Sequence, residues 1–495
     1  MYKETLSKDL GKLVKIESAA SETARSFLKY GIAIVFLAIV WFVANSVTAG
    51  IDNPTYIIIA GVIGGYMALN IGANDVANNV GPAVGAKSLT MVGAILIAIV
   101  CEASGALIAG GDVVSTIAKG IIDPGKLPDP SLFIPAMMSA LLAAALWINI
   151  ATWVGAPVST THSIVGGVMG AGIAVAGFSV VNWPAMAKIA ASWVISPVMG
   201  GIIAAAFLAF IKARIIYRDD KLAGARRWVP VLVAIMAGVF SAYLCMKGLK
   251  QIWKPTPLIV AAIGTAMFFI TYAIMRPLVA RQSAGMENRN KSIRELFHIP
   301  LIFAAALLSF AHGANDVANA VGPLAAIVDS ASTGVVSANK VDIPTWVLFV
   351  GAVGISVGLA LFGPKLIKTV GAQITRLNPM RAYCVALSAA ITVIIATTMG
   401  LPVSSTHIAV GAIFGVGLYR EWKTARQTHI NHGKFTAPEA NADVPQGLVR
   451  RDKAMYRKLV RRQHLMTIVA AWVITVPLSA LLAGAILFLM RTFIL

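Results

Sequence analysis

The sequence predicts an all-α polytopic membrane fold, and three observations carry that prediction. First, the 495 residues are 58% hydrophobic and only 13% charged, with a mean hydropathy of +0.79, so too little polar surface exists to wrap a soluble chain of this size. Second, the apolar residues fall into runs of bilayer length separated by short basic loops. Third, two motifs each occur twice in the same order. GANDVANNVGP at 72–82 returns as GANDVANAVGP at 313–323, and APVSTTH at 156–162 returns as LPVSSTH at 401–407.

Taken in order, residues 1–29 carry six Lys and Arg against four acids and are expected to form a cytoplasmic tail. An additional N-terminal helix follows within 30–54, spanning 30–49. A first repeat over 55–213 offers spans near 56–71, 88–109, 132–150, 163–178 and 186–211, and a linker over 214–299 adds 228–246 and 257–275. A second repeat over 300–495 offers 300–311, 343–362, 382–398, 408–418 and 467–490, with a polar cytoplasmic insertion near 420–465. Several of these runs are too short to cross alone, so broken or re-entrant helices are expected among about 12–13 membrane segments. About seven crossings separate the two GANDVAN copies, an odd number, which turns the halves into an inverted repeat. Such an arrangement belongs to transporters and places the binding site near the midplane.

The net charge of +20 raises nucleic acid as a partner, but the Lys and Arg lie in the short loops, where positive-inside topology accounts for them. Cys101, Cys245 and Cys384 all fall in apolar spans with no framework spacing, which argues against a disulfide scaffold or zinc site. No P-loop spacing appears.

Each GANDVAN copy sets a carboxylate among carboxamides inside apolar sequence: Asn74, Asp75 and Asn78 in one half, Asn315, Asp316 and Asn319 in the other. An intramembrane carboxylate costs several kcal/mol and is usually tied to transport. At helical spacing Asn74 and Asn78 share a face beside Asp75, and the flanking Gly and Gly-Pro are expected to break the helix there. In the second motif pair, Ser159, Thr160 and Thr161, and Ser404, Ser405 and Thr406, place three hydroxyls at a helix start or hairpin tip, a cradle for an oxyanion. The bland reading is that these hydroxyls only cap helices; two copies in register argue against it. His162 and His407 are read as orienting the loop. Glu102 is either a coupling-ion ligand or a structural partner. The GxxxG spacings at Gly61/Gly65, Gly166/Gly170 and Gly411/Gly415 are read as close-packing points.

These paired motifs, with SFAHGANDVANAVGPLAAI at 309–327, closely resemble the inorganic phosphate transporter (Pit) family over residues 56–495. The resemblance implies an inverted-repeat secondary transporter in the plasma (inner) membrane, a homodimer, importing phosphate by cation symport, and not an enzyme. Asn-Asp in both halves resembles the sodium-coupled branch. Asn79 and Pro82 depart from the family pattern, Ser405 stands where Thr is more typical, and the 30–49 span is an N-terminal addition. The substrate-binding set is then Ser159, Thr160, Thr161, Ser404, Ser405 and Thr406 with Asn74, Asp75, Asn315 and Asp316; the cation set is Asp75, Asn78, Asp316, Asn319 and Glu102. No cofactor is expected beyond the coupling ion, sodium or alternatively a proton. The hard oxygens of Asn and Asp favour sodium, since a proton needs only a carboxylate. Sulfate transport by the same fold, an anion channel and an intramembrane Ser-His hydrolase built on Ser159 and His162 are the alternatives.

Overall fold

The computed structural model describes residues 2–48, 54–154, 158–248, 255–334, 341–373, 377–434 and 462–493, and among them the protein is almost entirely helical. Residues 435–461 of the expected insertion, and Ala156 and Pro157 of the first hydroxyl motif, lie outside the described residues. Among the described residues eleven helices are long and apolar enough to cross a membrane, and Thr160–Ala176 is a shorter apolar one.

Helix α1 (Tyr2–Val47) is continuous through both the expected tail and the expected span. Its outer half shows Phe27, Tyr30, Trp41 and Phe42 to the surroundings while Phe36, Val40 and Ala44 are buried, the division expected of a helix facing lipid on one side. The first repeat comprises α2 (Pro54–Asn74), α3 (Ala77–Gly85), α4 (Met91–Ala109), α5 (Gly111–Lys119), α6 (Phe133–Val154), α7 (Thr160–Ala176) and α8 (Trp183–Ile211); α9 (Lys221–Gly248) and α10 (Pro257–Gln282) form the linker pair. After α11 (Asn290–Leu296), the second repeat runs through α12 (His298–Asp316), α13 (Ala318–Thr333), α14 (Thr345–Gln373), α15 (Pro379–Thr398), α16 (Ser405–Lys434) and α17 (Arg462–Phe493).

The halves interlock by exchanging equivalent helices. Helix α2 packs on α14 as α12 packs on α4, and α8 packs on α16 as α17 packs on α7. The α2–α14 and α4–α12 crossings are so close that a Cβ on Gly72 would overlap the carbonyl oxygen of Ile355, and one on Gly313 that of Glu102. Without a side chain between them the backbones meet directly, the way membrane helices gain packing where lipid offers no hydrophobic drive. Gly411 and Gly415 do the same against Pro197 and Gly201, and Gly166 and Gly170 against Val476 and Ala480. Gly61 and Gly65 have ordinary clearance.

The α6–α7 segment is re-entrant, because its two ends meet. Ile122 bridges Val181, and the Asp123 N–H donates to the Val180 carbonyl at 2.8 Å, so the chain enters and leaves on one side. The α15–α16 hairpin returns likewise: Tyr383 near its start lies 5.5 Å from Phe297 at the α11–α12 junction, and Tyr419 near its end lies under the Lys212 ammonium at 5.0 Å. Both places are in the basic loops. With both hairpins re-entrant, alternation keeps the loops after α8, α10 and α16 on the side of the N-terminus, in accord with their charge.

Candidate functional site

Both GANDVAN segments interrupt a membrane helix, though not at the expected glycines. Gly72 and Gly313 lie inside α2 and α12 as packing points; the break falls at Asp75–Val76 in one half and at Val317 in the other. Pro82 and Pro323 sit inside the following half-helices rather than ending them. One consequence corrects the same-face reading: Asn74 and Asn78 fall on opposite sides of the break, Asn74 donating to Thr152 Oγ1 (2.7 Å) and Asn78 to Thr406 Oγ1 (2.8 Å).

The two hydroxyl motifs form the hairpin tips. Ser159 caps α7, its Oγ accepting from the His162 N–H (3.2 Å), and Ser404 accepts from the His407 N–H (3.4 Å) at the start of α16. Capping of this kind leaves the next N–H groups, on Thr160, Thr161, Ser405 and Thr406, at the free positive end of a helix. His162 Nδ1 also lies 2.8 Å from Ser159 Oγ, and its ring stacks on Trp193 at 3.7 Å and sits 4.6 Å from His407. Trp193 in turn donates to the Pro402 carbonyl (3.1 Å). The histidines therefore brace the two tips against one another across the repeat.

Between the tips, Asp75 joins both hairpins. Thr160 donates to its Oδ2 (2.6 Å) and Thr406 to its Oδ1 (3.1 Å), while Asn319 donates to Thr160 and Thr161 (3.2 Å each). Thr161 donates onward to the Val403 carbonyl (3.0 Å). Asn315 holds the second tip, donating to Thr397 Oγ1 (2.9 Å) and the Leu401 carbonyl (3.1 Å) and accepting from the Val403 N–H (3.2 Å). All of these side chains that touch Asp75, Asn315 or Asn319 are buried, and Thr152 and Trp193 are half-buried.

Asp316 is held differently. His312, one helical turn earlier, places Nε2 3.0 Å from Asp316 Oδ2 and Nδ1 3.2 Å from Glu102 Oε2, at angles outside hydrogen-bond geometry; the two contacts are ion pairs only when the imidazole is protonated. Glu102 Oε1 accepts from Asn79 Nδ2 (2.9 Å). Ligand atoms of Asp75, His312 and Asp316 all lie within 4.8 Å of one another, so the two aspartates of opposite halves meet at one centre. Ser405 Oγ, buried there, has no hydrogen-bond partner. None of the described residues that meet at this centre is a lysine or arginine.

The structure thus brings Asp75, Asn78, Asp316, Asn319, Thr160, Thr161, Ser405 and Thr406 together, with Asn74 and Asn315 supporting the hairpins behind them. Glu102 joins only through Asn79 and His312. His312 was not singled out from sequence, and its signal was present: an ionisable residue inside a span, four residues before an aspartate and so on the same helix face.

A helical inverted repeat with two broken helices and two re-entrant tips converging on buried acids and hydroxyls defines the secondary-transporter class. A family model described as PHO4, the Phosphate transporter family, matches residues 71–483. A relative from Helicobacter pylori (strain J99), named "Putative phosphate permease", is 45% identical over 98% of this chain and 99% of its own length. A relative from Pyrococcus abyssi with a similar name is 38% identical over 76% of this chain and 92% of its own. A solved structure titled "The sodium-dependent phosphate transporter" superposes with a TM-score of 0.77 at 35% identity, covering 89% of this chain and all of that one. The chain belongs to the phosphate transporter family. It is a multi-pass membrane protein of a transport family and not an enzyme.

Proposed function

We propose that the protein imports inorganic phosphate across the plasma membrane by sodium symport. The observation that carries this reading is the meeting of Asp75 and Asp316 within one centre, beside two hydroxyl-bearing helix starts and with no lysine or arginine among the described residues that meet there. A phosphate brought there faces two carboxylates, and two helix N-termini contribute only about half a positive charge each. Bound cations supply the difference. The oxygens of Asp75, Asn78, Asp316 and Asn319 are hard donors suited to sodium.

The hydrogen bonds give the cation a second task. Thr160 and Thr406 direct their protons to Asp75, and a cation on that carboxylate releases both hydroxyls toward the anion, alongside Ser405 and the N–H groups of the tips. Cation binding therefore precedes phosphate binding. Ser159 and Ser404 keep the tips formed, and homodimer assembly, implied by the resemblance, belongs to the same reading. The name of the sodium-dependent structural neighbour supports sodium; a proton is the second reading, favoured by the His312 imidazole between Glu102 and Asp316. The test is uptake of labelled phosphate into proteoliposomes with a sodium gradient or a pH gradient imposed separately, with sulfate as competitor. Accumulation under the pH gradient with sodium absent overturns sodium coupling, and inhibition by equimolar sulfate overturns phosphate selectivity.

A further inference from the structure

A second cluster of polar groups lies at the other end of the α15–α16 hairpin, on the basic-loop side. Helix α8 does not simply stop there. It widens into a π-turn, Lys212–Ile216, closed by the Tyr217 N–H donating to the Lys212 carbonyl at 2.9 Å. Irregular turns of this kind re-aim side chains and recur at functional sites. The turn directs Lys212 over the ring of Tyr419, 5.0 Å from its centroid, and brings Tyr217 under the ammonium of Lys423 at 5.5 Å. Lys212, Arg381, Arg420 and Lys423 are electrostatic neighbours, and Arg294 adds to the field on Arg381.

Two of these cations are held in an unusual state. Lys212 and Arg381 are both partly buried, and neither has a carboxylate partner among the described residues. Arg381 Nε is buried without a hydrogen-bond partner. Asp220 in the adjoining loop commits Oδ1 to the Ala223 N–H at the start of α9. Gathering like charges in partly desolvated positions is unfavourable unless an anion sits among them. The phosphate group, with several acceptor oxygens, matches the donors of a guanidinium and an ammonium together.

We propose that Lys212 and Arg381, closed by Arg420 and Lys423, form a second anion site that takes a phosphate group at the cytoplasmic end of the α15–α16 hairpin. It is separate from the transport centre. Arg381 and Thr397, which binds Asn315, stand at opposite ends of α15, 16 residues apart, or about 24 Å along the helix. Two sources offer this chemistry: the headgroup of an anionic phospholipid in the cytoplasmic leaflet, and inorganic phosphate itself.

The experiment compares the full-length protein with Lys212→Gln/Arg381→Gln, each reconstituted in phosphatidylcholine with or without phosphatidylglycerol. If the site takes a lipid headgroup, phosphatidylglycerol raises the Tm of the parent and the double variant loses at least half of that rise, while Arg218→Gln, an exposed cation of the same loop, keeps it. If it takes free phosphate, equilibrium dialysis in phosphatidylcholine gives two labelled phosphates per chain for the parent and one for the variant. The proposal is overturned if both readouts are unchanged by the double substitution, or if Arg218→Gln lowers the lipid-induced rise as much with unchanged phosphate stoichiometry, which is a general surface-charge effect. Should the double variant fail to fold, Lys212→Gln alone carries the same comparison with a smaller loss.

Discussion

The two half-sites start from nearly one sequence and end in different electrostatic states. In the first half Asp75 accepts hydroxyl bonds from Thr160 and Thr406; in the second, Asp316 faces the His312 ring and makes no hydroxyl bond. The crossings show why. Gly72 rests on the carbonyl of Ile355 as Gly313 rests on that of Glu102, so Glu102 is the counterpart of Ile355, and His312, preceding Gly313, is the counterpart of Ile71. Asn79 likewise corresponds to Ala320. Where the α4–α12 crossing gathers Asn79, Glu102 and His312, the equivalent positions around the α2–α14 crossing are Ala320, Ile355 and Ile71, all buried. An inverted repeat supplies two equal scaffolds, and three substitutions make them unequal at the centre.

The largest effect is expected from the aspartates themselves. Asp75→Asn and Asp316→Asn should each lower phosphate uptake in proteoliposomes at least about 100-fold, equivalent to about 2.7 kcal/mol, while the purified proteins remain folded by circular dichroism. Uptake by either variant at the parental rate breaks the assignment of that half-site.

Next comes a variant that erases the inequality, Asn79→Ala/Glu102→Ile/His312→Ile, which gives the second crossing the residues of the first. Replacing a buried charged set by apolar residues is often neutral or stabilising by about 1–4 kcal/mol, so Tm should hold or rise while uptake falls at least about tenfold, or 1.4 kcal/mol. Glu102→Gln alone should lower Tm, since breaking a buried charge pair by removing one partner costs about 3–5 kcal/mol. A triple variant that transports normally would make the polar set a purely structural feature.

Gly72→Ala and Gly313→Ala probe what the halves share. Each forces a methyl against a backbone carbonyl, and overpacking costs about 1–3 kcal/mol, so both should lower Tm by similar amounts. A large difference between them would show that the crossings are not equivalent.

The smallest effect separates Thr160 from Ser405. Both changes to Ala should raise the KM for phosphate, since each removes a donor from the tips. Only Thr160→Ala should also cost stability, about 1 kcal/mol, because Thr160 donates to Asp75 and Ser405 Oγ has no partner. Thermal unfolding of the two variants distinguishes them.

Much of this architecture was legible before any contact was known. Hydropathy marked most of the apolar spans, because the bilayer imposes a length on each segment separately. The duplicated motifs marked Asp75, Asp316 and the hydroxyl tips, because a carboxylate in apolar sequence is costly wherever it packs. The tertiary structure decided what no local pattern encodes. The helix breaks three to four residues past the glycines, since Gly72 and Gly313 are held inside helices by partners across the crossing, and this splits Asn74 from Asn78. Asn79 meets Glu102 because α3 turns back beside α4, and His312 reaches Glu102 only because α4 lies against α12, an approach between residues 210 positions apart in sequence. Spacing along a chain determines which side chains share a helix face; which foreign face they meet depends on how two whole helices cross.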